Sequence, residues 1–185
     1  VAAVARRVPE KDIDALWRFI EHTYDDNRRL YVAGNGGLFS LASHLAIDFS
    51  KGAVCEENRL YSDKRRIRVQ QLGSNGSKVS AWSNDQRFDD IYVEELKTLE
   101  GDGWKDYSLL ALSCSGNSPN IVNLVKYAAE QNANVWSMVG FDGGKLKNLM
   151  PAVHFKSWNY GEVEDCIHLT MHHITNRLRS KILAG

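Results

Sequence analysis

Two stretches of this chain follow one pattern: an apolar run, a small-residue loop, then a helix. In residues 109–124, LLALSCSGNSPNIVNL, the run Leu109 to Leu112 breaks into Ser113-Cys114-Ser115-Gly116-Asn117-Ser118. A helical pattern follows, carried by Ile121, Val122, Leu124 and Val125. A strand that ends in hydroxyls and a glycine and then opens a helix is an anion cradle. The first amides of a helix are unpaired and carry partial positive charge. Serine hydroxyls add donors, and a glycine lets the backbone approach a ligand closely. The expected ligand is a phosphate, although the same residue types also cap helices that bind nothing. In residues 30–50 the pattern recurs: Leu30 to Ala33 ends in Gly34-Asn35-Gly36-Gly37, and a helix follows.

The rest of the chain alternates in the same way. Pro9 and Asp12 mark a helix start, and Ile13, Leu16, Trp17, Ile20 and Tyr24 then recur at helical spacing. Strands are expected at Leu30–Gly34, Val79–Trp82, Tyr107–Ser113, Val135–Val139 and Ala152–Phe155. Helices are expected at Leu38–Phe49, Asp89–Leu99, Asn117–Asn132 and Gly161–Leu183, with a short turn over Lys145–Asn148. The polar stretch from Cys55 to Ser77 reads as a connector, with Gly73 to Gly76 as a turn. This alternation predicts an α/β sandwich around a mostly parallel, five-stranded sheet. Ligands of such sheets sit beyond the carboxyl ends of the strands, where both small-residue loops fall.

A chain of 185 residues suits a single domain over its whole length, 1–185. Lys+Arg and Asp+Glu are 23 each, which gives no broadly basic surface for a nucleic acid. The cluster RRIR at 65–68 reads as a solvated face. No apolar run reaches membrane-spanning length and no signal-peptide pattern is found. Cys55, Cys114 and Cys166 are odd in number and widely spaced, as expected of reduced thiols in a cytoplasmic protein.

Two helices carry the residues suited to chemistry. His44 and Asp48 are four apart, so they share a helix face. The pair could ligate a metal, act as a carboxylate base beside an imidazole, or merely support the helix. The last helix carries Glu164, Asp165, His168, His172 and His173. Eight residues is slightly more than two turns, so Glu164 shares a face with His172, and Asp165 shares one with His173. His168 and His173 read as half-buried helix histidines, and His22 and His154 match no motif.

The motifs GNGG, SHLAIDF, SCSGNS, FDGGKL and VED with a histidine eight residues beyond the Glu occur here in that order. In this the chain resembles the sugar isomerase (SIS) domain, and within it the phosphoheptose isomerase family, over nearly its whole length. The resemblance implies a three-layer α/β/α sandwich of flavodoxin-like type. It also implies a homotetramer with the N-terminal helix, residues 12–30, in the contacts. The activity implied is aldose–ketose isomerisation of a phosphorylated sugar, sedoheptulose 7-phosphate or a close analogue, by enediol proton transfer. The VED signature selects Glu164 and His172, with His173 the alternative to His172. Asp48 and His172 then become the acid/base pair, and His44, Asp48, Glu164 and His172 the ligands of a zinc ion.

The same resemblance assigns Ser113, Ser115 and Ser118 to the phosphate, with help from Gly116 and Asn117 and from the backbone amide of Cys114. It places Asn35 and Gly36 beside the open-chain sugar, and Asn84 and Asp85 near the sugar hydroxyls. The run Asp142-Gly143-Gly144 reads as a turn. Three positions depart from the family pattern: Asp48 where Glu is usual, Leu38 where Ser follows GNGG, and Cys114 where Thr is usual. These departures keep a second possibility open, a non-catalytic SIS protein that binds a phosphosugar and regulates a partner, as a tetrameric relative does with the replication initiator.

Overall fold

The computed structural model describes residues 1–56, 60–100 and 106–184. The elements in chain order are α1 (Ala2–Ala5), α2 (Glu10–Asp25), β1 (Arg29–Ala33), α3 (Gly37–Ser50), β2 (Arg68–Gln71), α4 (Gly76–Asp85), α5 (Ile91–Glu100), β3 (Tyr107–Ser113), α6 (Pro119–Glu130), β4 (Asn134–Val139), α7 (Gly144–Leu149), β5 (Ala152–His154) and α8 (Tyr160–Ala184). The five strands form one sheet in the order β2-β1-β3-β4-β5. Every pairing is parallel, with Arg29 opposite Arg68 and Tyr107, Ser108 opposite Asn134, and Ser137 opposite Ala152.

Alternation along the strands feeds two apolar layers. Leu30, Val32, Leu110, Leu112, Met138 and Val153 face one layer, together with Leu16 and Ile20 of α2, Leu41 and Leu45 of α3, and Ile167 and Met171 of α8. Tyr31, Ala33, Leu109, Ala111 and Val139 face the other, with Tyr92 and Leu96 of α5, Ile121 and Val125 of α6 and Leu146 of α7. The molecule is therefore the expected three-layer α/β/α sandwich. β3, at the centre, is buried at all seven positions, which is why it reads as a continuous apolar run.

The expected strand over Val79–Trp82 is instead the middle of helix α4. The Asn75 side chain accepts from the amides of Ser77 and Lys78, so the helix is capped one residue before Gly76. Val79 and Trp82, three apart, pack one face of it against the α5 and α6 layer. The fifth strand is β2, inside the polar stretch read as a connector. As an edge strand it is half covered, so Arg68, Val69 and Gln70 carry no apolar run to reveal it. Residues 57–59 of that stretch lie outside the described residues. The N-terminal helix runs from Glu10 to Asp25 rather than from 12 to 30, and Arg29 and Leu30 already belong to β1.

The strand order turns back between β1 and β3: the chain leaves β1 for β2 on one side and returns to β3 on the other. The carboxyl ends of these two strands define the switch point, where loops diverge and leave a crevice. The loops that open there are Gly34–Gly37 and Ser113–Ser118.

Candidate functional site

The loop after β3 is a tight turn. The Gly116 amide donates to the Ser113 carbonyl at 3.2 Å and to its hydroxyl at 3.1 Å. Gly116 has φ +63°, and a Cβ there would lie 2.1 Å from the carbonyl oxygen of Gly143. Asn117 pins the loop. Its Oδ1 accepts from the Lys145 amide and its Nδ2 donates to the Ser115 carbonyl, both at 3.1 Å. The Leu146 amide donates to the Gly116 carbonyl. Residues 141–146 thus brace the loop from behind. On the open side, Ser113 Oγ and Ser118 Oγ stand 3.4 Å apart. Ser118 is the N-cap of α6, yet its side chain makes no capping bond, so its hydroxyl can turn to a ligand. The Cys114 thiol is buried and pushed up to about 11, first by burial and then by the charge of Glu164. It is a neutral packing group at working pH.

The loop after β1 is tied to the first. Asn35 Nδ2 donates to Asn120 Oδ1 at 2.8 Å, and Asn120 Nδ2 donates to Asn35 Oδ1 at 2.9 Å. Tyr92 reaches in from α5 and donates to the Gly34 carbonyl at 2.6 Å. Between the two loops lies a hollow of about 270 Å³, lined among others by Asn35, Gly36, Ser113, Ser115, Ser118 and Glu164. Gly37 lets Glu164 come close, since a Cβ on Gly37 would meet both carboxylate oxygens at 2.5 Å. The Glu164 carboxylate therefore sits against the first residue of α3, where the helix dipole favours negative charge.

Glu164 is also a wall of a second hollow of about 280 Å³, with Ser40, His44 and His168. Behind it α3 and α8 bring together a compact group. His44 Nε2, His172 Nε2 and Asp48 Oδ2 form a triangle with all three sides 3.2 Å. The His168 ring packs on the His44 and His172 rings, with centroids 4.6 and 4.2 Å apart. Burial lowers the proton affinity of His168, and the neighbouring His172 and His44 lower it further.

These residues fit a metal ion. Three ligands of a tetrahedral zinc, each roughly 2.0–2.1 Å from it, stand about 3.3 Å from one another. That is the side of the observed triangle. Asp48 Oδ2 is buried and engaged in no hydrogen bond of good geometry, although both Nε2 atoms stand 3.2 Å away. Imidazole and carboxylate are donors suited to zinc.

The sequence-derived candidates divide accordingly. Asn35, Gly36, Ser113, Cys114, Ser115, Ser118 and Glu164 line the first hollow. His44, Asp48 and His172 meet in the triangle. Asn117 lies outside the lining of either hollow, because its side-chain amide is spent on the loop itself. Asn84 and Asp85 also lie outside: they form the exposed last turn of α4, where Asn84 Nδ2 donates to Asp85 Oδ1. Residues expected just beyond a strand thus end a helix instead. Among the described residues, His44, His168 and His172 each offer one ligand atom within 4.8 Å of the others, a group that includes neither Asp48 nor Glu164; Glu164 shares the second hollow with His44 and His168. His173 is exposed.

Sequence reasoning missed His168, Asn120 and Tyr92. His168 was legible as the middle of the series 164, 168, 172, all on one helix face. Asn120 and Tyr92 carry no local signal, because their partners lie 85 and 57 residues away.

A family model described as the SIS domain matches residues 1–140 of this chain. The chain belongs to the SIS domain family. Among its relatives, the phosphoheptose isomerase of Pelobacter propionicus is 28% identical over 181 residues, 97% of this chain and 89% of the relative. That of Chlorobium limicola is 29% identical over 175 residues, 92% and 77% of the two chains. The structure of phosphoheptose isomerase GmhA from Neisseria gonorrhoeae superposes with a TM-score of 0.81 at 20% identity, covering 95% of this SIS chain and 89% of the other. The two hollows thus lie in a five-stranded, all-parallel α/β fold that matches that of this solved structure.

Proposed function

We propose that this chain is a phosphosugar isomerase that interconverts a ketose and an aldose phosphate through an enediol, with sedoheptulose 7-phosphate or a close analogue as substrate. The observation that carries the reading is the placement of Glu164. It walls both hollows, with the hydroxyl-rich loop at one end and the Asp48–His44–His172 triangle near the other. A chain-like substrate with an anion at its tail and a carbonyl at its head fits that layout.

The phosphate rests on the hydroxyls of Ser113, Ser115 and Ser118 and the backbone at Gly116. This distal grip fixes the carbonyl end and turns binding energy into orientation. Asp48 removes the proton from the carbon beside the carbonyl and returns it to the neighbouring carbon. His172, 3.2 Å from Asp48, passes the matching proton between the two oxygens. With zinc held by His44, His172 and Asp48, polarisation of the carbonyl oxygen would come from the cation; since an imidazole nitrogen bound to the ion carries no proton, His172 would serve as ligand and as proton carrier at different stages. The second carboxylate oxygen of Asp48 then remains as the base, since a carboxylate has lone pairs on both.

The working form is proposed to be a homotetramer, with the whole chain acting as one domain. Supporting this, Ile47 and Leu169, apolar and 58% and 56% exposed, flank the triangle on α3 and α8. Such residues beside a polar site suit coverage by neighbouring copies. Free cysteines at 55, 114 and 166 suit a reducing, cytoplasmic setting. No helix among the described residues is long and apolar enough to cross a membrane.

The test is a proton NMR assay with sedoheptulose 7-phosphate and a panel of shorter ketose phosphates, with and without a chelator. Interconversion of the heptulose phosphate is expected. A protein that binds these esters and turns over none of them sinks the isomerase reading and leaves phosphosugar-responsive regulation.

A further inference from the structure

We propose that Tyr160 is a substrate-binding residue, the aromatic wall of the first hollow, and that the face of its ring takes the C–H surface of the sugar carbons next to the phosphate. The inference rests on the phosphosugar reading of that hollow given above. Tyr160 lines the hollow together with Ser113, Ser115 and Glu164. It opens α8 and stands four residues before Glu164, so the two share a helix face. His172, at the triangle, lies more than three helical turns further along α8. Tyr160 therefore stands at the phosphate end of the hollow, away from the proton transfer.

Two further rings support this one. Tyr160 meets Phe141 edge to face, with centroids 4.9 Å apart, and Phe141 stacks on Trp158 at 5.1 Å. Tyr160 and Trp158 are 62% and 73% exposed, so most of this aromatic surface is not engaged in the core. Exposed apolar surface at the rim of a polar hollow marks a ligand groove. The segment that carries the rings is nonetheless firmly held. The Ser157 hydroxyl donates to Glu162 Oε2 at 2.5 Å, and Asn159 Oδ1 accepts from the Glu162 amide at 3.2 Å. Phe141 has φ +46°, a left-handed backbone that is rare for a bulky residue. It is fixed there from both sides: its amide donates to the Ser157 carbonyl at 2.9 Å, and its carbonyl lies 3.0 Å from His154 Nε2. Rings that are exposed and yet held in place are preorganised for a ligand.

The placement decides what the ring does. Phe141 begins the turn that braces the phosphate loop from behind, so the loop and the aromatic wall are parts of one rigid unit. The loop itself offers hydroxyls and amides, which suit the phosphate oxygens. The carbons next to the phosphate also present C–H surface, which those polar groups leave in water. An aromatic face removes that surface from water without a hydrogen bond, and the sugar hydroxyls stay free for Glu164 and Asn35. Such a contact is indifferent to the hydroxyl of Tyr160, and it is not felt by inorganic phosphate, which carries no carbon.

The experiment is titration calorimetry on the full chain with two probes, sedoheptulose 7-phosphate and inorganic phosphate. Tyr160→Ala should bind the sugar phosphate about five- to tenfold more weakly, and inorganic phosphate as tightly as wild type does. Tyr160→Phe, which keeps the ring, should match wild type with both probes. Wild-type affinity for the sugar phosphate in Tyr160→Ala overturns the assignment. Equal weakening of both probes overturns it too, since the variant would then only loosen the phosphate loop. A Tyr160→Phe variant as weak as Tyr160→Ala would move the role to the hydroxyl and remove the ring contact. Light scattering tests a second copy of the chain as the occupant: a smaller assembly in Tyr160→Ala or Trp158→Ala than in wild type would make the rings a subunit contact and overturn the proposal. If wild type binds the sugar phosphate no more tightly than inorganic phosphate, the phosphosugar reading of the hollow falls and this inference with it. Turnover is read in no arm, so an inert protein with the ring-dependent pattern keeps the inference and loses only the isomerase reading.

Discussion

Asn35 and Asn120 exchange two hydrogen bonds, at 2.8 and 2.9 Å, and so clamp the loop after β1 to the start of α6. An amide facing an amide satisfies a donor and an acceptor on each side, and Asn120 is only 1% exposed. Replacing it by Ala removes both bonds and leaves the Asn35 amide half-satisfied. Asn120→Ala should cost about 1–3 kcal/mol of stability, the penalty for stranding a buried polar group. It should also raise KM for the phosphate ester, because the two loops that form the first hollow are no longer locked together. Urea denaturation and steady-state kinetics read the two effects. An unchanged midpoint would mean that the clamp contributes nothing.

Two glycines with similar positive φ should respond differently to alanine. Gly36 has φ +58° and open space where a Cβ would go, whereas Gly116 has φ +63° and a Cβ site 2.1 Å from the Gly143 carbonyl. Gly36→Ala carries only a backbone cost, about 1–3 kcal/mol, because φ +58° with ψ −124° lies outside the left-handed helical region that other residues tolerate. Gly116→Ala adds a clash with backbone that cannot rotate away, so the phosphate loop must separate from the turn behind it. The expected outcome is a folded, weakened Gly36 variant and a Gly116 variant that is less stable and has lost phosphate binding. Thermal melts with and without inorganic phosphate separate them: ligand should raise the midpoint of the first and not of the second.

What could be read from the chain followed burial. β1, β3 and β4 were legible because central parallel strands are covered on both faces and read as apolar runs, and α8 was legible because Val163, Cys166, Ile167, Met171 and Ile174 repeat at helical spacing. β2 was not, because an edge strand is only half covered. The segment at 79–82 misled because Val79 and Trp82 look like strand residues unless the Asn75 cap is noticed. Within the site, the loops and the His44–Asp48–His172 set were visible as ordered motifs. His168 was passed over, although it lies between Glu164 and His172 on one helix face, because the VED signature singles out only those two. The roles of Asn84, Asp85 and Asn117 depended on contacts between elements, which spacing along the chain does not encode.

The buried Cys114 gives a prediction in pH. Its folded pKa is raised from 9.0 to about 11, chiefly by desolvation. A raised pKa means the folded state holds its proton more tightly than the unfolded state. The associated stability is present below pH 9 and is lost as pH climbs from there to about 11. Near pH 8 the thiol should therefore resist alkylation, and so should buried Cys166, while half-buried Cys55 reacts. One thiol modified in native protein and three after denaturation is the expected count in a thiol-titration assay. Rapid native modification of Cys114 would contradict its packing role.

Asp48 separates the two duties of the triangle. Asp48→Asn keeps the shape but replaces a charged oxygen by an amide group, which is no base and a poor metal ligand. Loss of a general base of this kind should lower kcat by roughly 10²–10⁴ with the fold intact. Asp48→Glu restores the charge on a longer arm. Its carboxylate must then find room beside two imidazoles that now stand 3.2 Å from Oδ2. The centre is set for the shorter side chain, so Asp48→Glu should bind Zn²⁺ more weakly than wild type while recovering part of the activity lost in Asp48→Asn. A Glu variant as active as wild type would show that the spacing of the triangle does not govern proton transfer. An Asn variant as active as wild type would remove Asp48 from the chemistry altogether, and stopped-flow kinetics on the same ketose phosphate decides between these outcomes.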